Sequence, residues 1–278
     1  MDYSAKVLSE VISEQTHVIS NNKGRKMRVA ILQIEDRVDP YFEWCFNLNK
    51  AYCLKHNIDH IIIRKGPDDL PPYFWKVSVF LDLMNQGKHD IICWMDSDAF
   101  VKDIKRDIRD FFNDTSESMV IAPDPPGWGS PFMAAVYMAK NNSIGRQIFT
   151  EWIGYYDSTK WAKLEDGKWK HTGNGRWAGT EYEQGSYSIN ILPKYRNHIK
   201  VLPWYVLHET NCSKPHDDNW SIHLPGVIKR LRPQCVVLEQ SRRSFIGKIN
   251  MSVLFIIFTI ILLVTIIVLY ILYSRKYI

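Results

Sequence analysis

The chain has 278 residues, of which 46% are hydrophobic and 23% charged, and a formal net charge of +5 at pH 7. That balance excludes a disordered, collagenous or coiled-coil protein and suits one large domain or two small ones with a sizeable core. The charge is not a nucleic-acid footprint. Residues 229–248 hold Lys229, Arg230, Arg232, Arg242, Arg243 and Lys248 against the single acid Glu239, and Arg275 and Lys276 follow at the tail. Without these, the body carries 27 basic against 29 acidic residues, so no nucleic-acid partner is expected.

Residues 1–26 are polar and read as a weakly helical arm; no apolar h-region is present, so no signal peptide is expected. The run MRVAILQI at 27–34, bounded by charge, predicts a buried strand. Asp39-Pro40 opens a helix through about His56, with Pro at a permitted first-turn position. A second strand is expected at 59–64 (DHIIIR), a turn-rich break at 66–72, an amphipathic helix at 74–85 and a third buried strand at 90–95 (DIICWM). A helix over 101–114, strands at 119–122 and 132–139, and a helix at 143–156 follow. This alternation implies an α/β fold with a mainly parallel sheet, whose ligands bind beyond the carboxyl ends of the strands.

Residues 157–180 break the pattern, with four Gly, three Trp and little periodicity. Such a segment is either a surface insertion or a binding loop, and its Trp rings suit the apolar faces of sugars.

Residues 249–274 carry no charge and are almost continuously Ile, Leu, Val and Phe from Met251 to Tyr273. They predict a transmembrane helix rather than a core helix, because no polar face is present; Tyr270 and Tyr273 suit an interfacial belt. Six positive charges precede the span and two follow it, which orients the body towards the cytoplasm. Sequons at Asn113, Asn141, Asn211, Asn219 and Asn250 pull weakly towards a lumenal body. The expected layout is an arm (1–26), a catalytic domain (27–229), a basic linker (230–248), a transmembrane helix (249–274) and a short tail (275–278). That makes a single-pass C-terminal anchor in a membrane of ER/Golgi or viral-factory type. The five cysteines are scattered with no C-x-x-C pair, and are expected as reduced thiols.

The sharpest chemical feature is Asp96-Ser97-Asp98, directly after the strand DIICWM. A D-x-D triplet alone is usually a solvated turn. At a strand end, two carboxylates two residues apart reach one hard divalent cation, Mg2+ or Mn2+, which commonly bridges to a diphosphate. The second feature is His223-Leu224-Pro225-Gly226-Val227-Ile228-Lys229. Its His offers a ring nitrogen to a metal, its Gly admits a phosphate to the backbone, and its Lys supplies a point charge. Read alone, His223 is a surface histidine and Lys229 a member of the basic flank.

Tyr73-Phe74-Trp75-Lys76, an apolar helix, and a strand ending Trp94-Met95-Asp96-Ser97-Asp98-Ala99 resemble the galactosyl/mannosyl/xylosyltransferase family of fungal and plant Golgi enzymes. More broadly they are similar to retaining GT-A glycosyltransferases, the glycogenin-like ones included. The match is clearest over 74–101 and weaker over 27–229, with the C-terminal span outside it. The resemblance implies a GT-A fold in which Asp96, Asp98 and His223 hold Mn2+ on the diphosphate of a nucleotide-sugar donor. It implies donor contacts for Lys76, Gly226 and Lys229. It also implies that Glu183-Gln184 stands for the D-Q pair beside the reacting sugar, with Glu in place of Asp.

Three departures stand out. Met133-Ala134-Ala135 replaces the Asn-x-Gly that lies near the donor sugar, which leaves the donor open among UDP-galactose, UDP-xylose, UDP-glucose and GDP-mannose. The Phe-x-Gly-Cys that follows some family histidines is absent, and the expected anchor is C-terminal instead of an N-terminal signal-anchor. The expected activity is a metal-dependent hexosyl or pentosyl transfer, with retention, to a glycan or glycoprotein. A metal-dependent nucleotidyltransferase or phosphohydrolase, and an inactive membrane-anchored binding protein, are the alternatives.

Overall fold

The computed structural model describes residues 16–19, 27–113, 116–243, 259–261 and 263–264. The chain divides into two units, 1–227 and 228–278.

In the first unit, three apolar runs form the centre of a seven-stranded sheet: β2 (Val29–Ile34), β3 (Asp59–Ile63) and β4 (Ile91–Met95), every residue of which is buried. Successive side chains point to opposite faces of a strand. Ala30, Leu32, Ile61, Ile63, Ile92 and Trp94 therefore enter one core, and Val29, Ile31, Ile91 and Cys93 the other. Both faces are covered, which is why these strands read as continuous apolar runs without alternation.

Helix α1 (Pro40–His56) begins as the sequence predicts: Asp39 accepts from the Tyr41 N–H, and Pro40 takes a position where no N–H is needed. It ends at Asn57, in the left-handed region at φ 51°, whose N–H bonds Cys53 O. Helix α2 (Pro72–Asn85) and α3 (Ser143–Ile153) pack Val77, Phe80, Phe149 and Trp152 into the first core. Tyr52 and Cys53 of α1 pack into the second.

The strand order is β1-β3-β2-β4-β7-β6-β10, with β1 (Thr16–Ile19), β6 (Met119–Ile121), β7 (Val136–Lys140) and β10 (Ile199–Val201). The expected mainly parallel sheet is corrected to a mixed one. β3–β2–β4 and β6–β10 are parallel, but β1 runs against β3, and β7 runs against both β4 and β6. Within the expected arm, 16–19 form a strand, while 1–15 and 20–26 lie outside the described residues.

Two further expectations change. The predicted helix at 101–114 is a short strand, β5 (Ala99–Val101), and a 3-10 turn, Ile108–Phe112. Asp107 supplies the cap of that turn, accepting from Arg109 N. The irregular segment at 157–180 contains a hairpin, β8 (Trp161–Lys163) and β9 (Trp169–His171), turned at Gly167 with φ 81°. Trp161, His171 and Tyr182 pack ring to ring beneath it, burial that a helical or strand period does not encode.

Cys45, Cys53 and Cys93 are buried thiols, as expected, whereas Cys212 is disulfide-bonded.

The second unit contains a helix over 232–243, in which Glu239 pairs with Arg243 at 3.0 Å and Arg242 at 3.7 Å. Cys235 is also disulfide-bonded, so the expectation of five reduced thiols is corrected. Among the described residues no helix is long and apolar enough to cross a membrane. That corrects the expected transmembrane helix at 249–274, and with it the single-pass anchor and the lipid partner. Of that segment only 259–261 and 263–264 are described; the rest of the expectation lies outside the described residues.

Candidate functional site

The β4 strand stops at Asp96, whose N–H donates to Ala135 O at 2.7 Å. A tight turn follows, closed by Ala99 N–H to Asp96 O at 3.0 Å, and the chain re-enters as β5. β5 pairs antiparallel with β11 (Ser221–His223), and the register sets Ala99 opposite His223. Leu224 N–H reaches back to Asp98 O at 3.1 Å, and His223 N–H bonds Glu209 O at 2.9 Å. This two-stranded sheet brings the distant His223 to the D-x-D turn. His223 Nε2 lies 3.2 Å from Asp98 Oδ1, and one ligand atom from each of Asp96, Asp98 and His223 falls within 4.8 Å of the others. Both aspartates are half-buried and His223 is buried. Two hard carboxylate oxygens with one borderline imidazole suit Mn2+, and Mg2+ less fully, so the donor set fits the cation expected there.

Asp96 is held from the other side. Its Oδ1 accepts from Trp94 Nε1 at 2.8 Å and from Lys76 Nζ at 2.9 Å. Lys76 rises from α2 with its side chain 10% exposed, and it also donates to Ala134 O at 3.1 Å and pairs with Glu183 Oε1 at 3.5 Å. Burial alone would lower the Lys76 ammonium, but Asp96 and Glu183 outweigh it and hold its pKa above the ordinary value. Burial pushes the Glu183 carboxyl up, with Lys76 pulling against it.

Glu183 opens a short helix, α4 (Glu183–Ser186), on which Gln184 follows. Gln184 Oε1 accepts from Ala134 N–H at 3.1 Å, and its Nε2 donates to Asp124 Oδ1 at 3.4 Å. The backbone of Met133-Ala134-Ala135 thus joins three expected site residues, Asp96, Lys76 and Gln184, while its own side chains offer no polar group. Gly226 starts a 3-10 turn, Gly226–Leu231, and a Cβ added there would meet nothing within 4 Å. Lys229 belongs to the second unit.

A cavity of about 740 Å³ lies over the strand ends, lined by Asp96, Asp98 and Lys76, by Glu35 and Arg37 after β2, and by Lys163 and Trp169 of the hairpin. Glu35 is buried. Its carboxylate accepts from Ser97 Oγ at 2.5 Å and from Arg37 Nε at 2.6 Å, which ties the D-x-D turn to the end of β2.

Asp124 and Glu35 were not singled out from sequence. Asp124 follows β6 as Asp96 follows β4, a carboxylate just beyond an apolar run, and the reasoning that found Asp96 would have found it. Burial pushes the Asp124 carboxyl up to about 6, opposed by the Ser130 N–H, His223 and Gln184.

No family model and no curated protein sequence matches this chain. In structure it is similar to a glycosyltransferase involved in the glycosylation of the major capsid of PBCV-1. The TM-score is 0.58 at 15% identity, over 74% of this chain and 99% of that one. It is also similar to the glycosyltransferase GlyE of Streptococcus pneumoniae TIGR4, at TM-score 0.43 and 15% identity, over 77% of this chain and 61% of that one. The first likeness is one of fold: this chain shares the mixed α/β fold of that glycosyltransferase.

Proposed function

We propose that the chain is a metal-dependent glycosyltransferase. It would move a hexose or pentose from a nucleotide diphosphate sugar, a UDP-sugar by the family resemblance, to a glycan or glycoprotein, with retention. The observation that carries this reading is the convergence of Asp96, Asp98 and His223 at the strand ends of a glycosyltransferase fold.

In this reading Asp96, Asp98 and His223 hold Mn2+ or Mg2+. The bound cation would neutralise charge building on the diphosphate leaving group. Trp94 and Lys76 fix the Asp96 carboxylate, so its free direction is set before donor arrives. Lys76 adds a permanent positive charge to the cavity wall. The open backbone at Gly226 receives the phosphates. Gln184, held by Ala134 N–H and Asp124, presents its amide to the sugar as the electron-rich group that an oxocarbenium-like transition state needs. Glu183 acts through Lys76.

The test is nucleotide release by the full-length protein from UDP-sugars and GDP-mannose, with and without Mn2+. Mn2+-dependent release that falls about 100-fold or more in Asp98→Ala is expected, as for the loss of a group acting directly on the leaving charge. No Mn2+-dependent donor binding by wild type, or an unaffected Asp98→Ala, sinks the reading. Donor bound but never turned over, whatever the acceptor, would instead make the chain a binding protein on a transferase scaffold.

A further inference from the structure

The D-x-D turn is held from beneath by buried amides that belong to neither the turn nor the cavity. Gln33 of β2 and Asn49 of α1 are both fully buried. Asn49 Nδ2 donates to Ala99 O at 3.0 Å and to Gln33 Oε1 at 3.1 Å, while its Oδ1 accepts from Val101 N–H at 2.9 Å. Gln33 Nε2 donates to Asp96 O at 3.2 Å, and Gln33 Oε1 also meets His60 Nε2 at 2.9 Å.

In a strand, the C=O of one residue and the N–H two residues on face the same edge. Among the described residues, β5 has a strand partner, β11, along one edge alone. Asn49 occupies the other, giving Ala99 and Val101 the donor and acceptor that a neighbouring strand would have supplied. A side-chain amide carries a donor and an acceptor side by side in one plane. Gln33 then fixes the carbonyl at the start of the turn, as Asn49 fixes its end.

We propose that Asn49 and Gln33 are positioning residues for the cation site. They hold the backbone from Asp96 to Val101 in the one course that points Asp96 and Asp98 at the same point and keeps β5 in register with His223. The inference rests on the metal-site reading above and extends it to residues that touch neither cation nor donor. Both amides can be replaced by apolar side chains of similar size, and the freed backbone groups of the turn would then seek other partners by shifting.

The experiment measures Mn2+ binding to the full-length protein by the loss of the free-ion EPR signal, with folding checked by circular dichroism and thermal midpoint. The variants are Asn49→Leu, Gln33→Met and Asp98→Ala. Tyr52→Phe serves as control, because Tyr52 on the same helix accepts from Ile108 N–H and donates to Arg106 O, away from the turn. We expect Asn49→Leu and Gln33→Met each to weaken Mn2+ binding about 10- to 100-fold, with Tyr52→Phe within about twofold of wild type. Mn2+ bound normally by folded Asn49→Leu or Gln33→Met, but lost in Asp98→Ala, overturns the positioning role and leaves the metal site standing. A fall in Tyr52→Phe equal to theirs overturns it too, since general loosening would then suffice. Wild type that binds no Mn2+ overturns the metal-site reading itself.

Discussion

His223 Nε2 sits 3.2 Å from Asp98 Oδ1, although 124 residues separate them in the chain; β5–β11 pairing carries the contact. The pairing makes His223 the one nitrogen in an otherwise oxygen donor set among the described residues.

That composition predicts a metal preference. An imidazole favours Mn2+ over Mg2+, which takes oxygen ligands and keeps its waters. His223→Gln replaces the nitrogen by an amide oxygen of similar reach. Mn2+ affinity should fall about tenfold, worth about 1.4 kcal/mol, with a smaller loss for Mg2+. Competition of Mg2+ against Mn2+, followed by EPR, measures both. Equal losses for the two ions, or none, would remove His223 from the ligand set.

Lys76 predicts an asymmetry in stability. It stands between two carboxylates, Asp96 and Glu183, and Glu183 is nearly enclosed, with its side chain 6% exposed. Removing one partner of a buried pair strands the other charge, at a cost of about 3–5 kcal/mol. Lys76→Met should therefore be strongly destabilised in urea. Adding Glu183→Gln should restore part of that loss, because the stranded carboxylate becomes a neutral amide. A double variant as unstable as the two single losses summed would show that Lys76 and Glu183 are not coupled.

Much of this arrangement was legible in the sequence, and the limits have physical causes. β2, β3, β4 and α1 announced themselves through long apolar runs and the Asp39-Pro40 cap. Asp96 and Asp98 were found because they follow such a run. β5 was missed because Ala99-Phe100-Val101 is too short to show a period; its strand geometry comes from Asn49 on one edge and β11 on the other. Gln33 sits inside an apolar run and Asn49 in the mixed polar sequence of α1, and nothing local marks either buried amide as a clamp. The antiparallel course of β7 depends on how the chain returns from Asp124, and the apolar pattern is the same in either direction.

His60 predicts a pH dependence. It is buried at the far end of the amide chain, with Nε2 on Gln33 Oε1 and Nδ1 without a partner. Burial, aided by Lys50, lowers its pKa to about 4. Between that value and the ordinary one near 6.5, the unfolded chain binds a proton at His60 and the folded chain does not. The contribution is complete above pH 6.5 and is lost as pH falls towards 4, by about 1.4 kcal/mol per unit. Asp82 and Asp124, whose carboxyls burial raises to about 6, act in the opposite sense over nearly the same range, favouring the folded state as pH falls. The wild-type curve alone therefore mixes the two effects. Subtracting the urea stability of His60→Gln from that of wild type at pH 7, 6 and 5 cancels the carboxylates and isolates the imidazole. The difference should shrink by about 2 kcal/mol from pH 7 to pH 5. A difference constant across that range would mean that His60 takes up its proton in the folded protein as readily as in the unfolded chain.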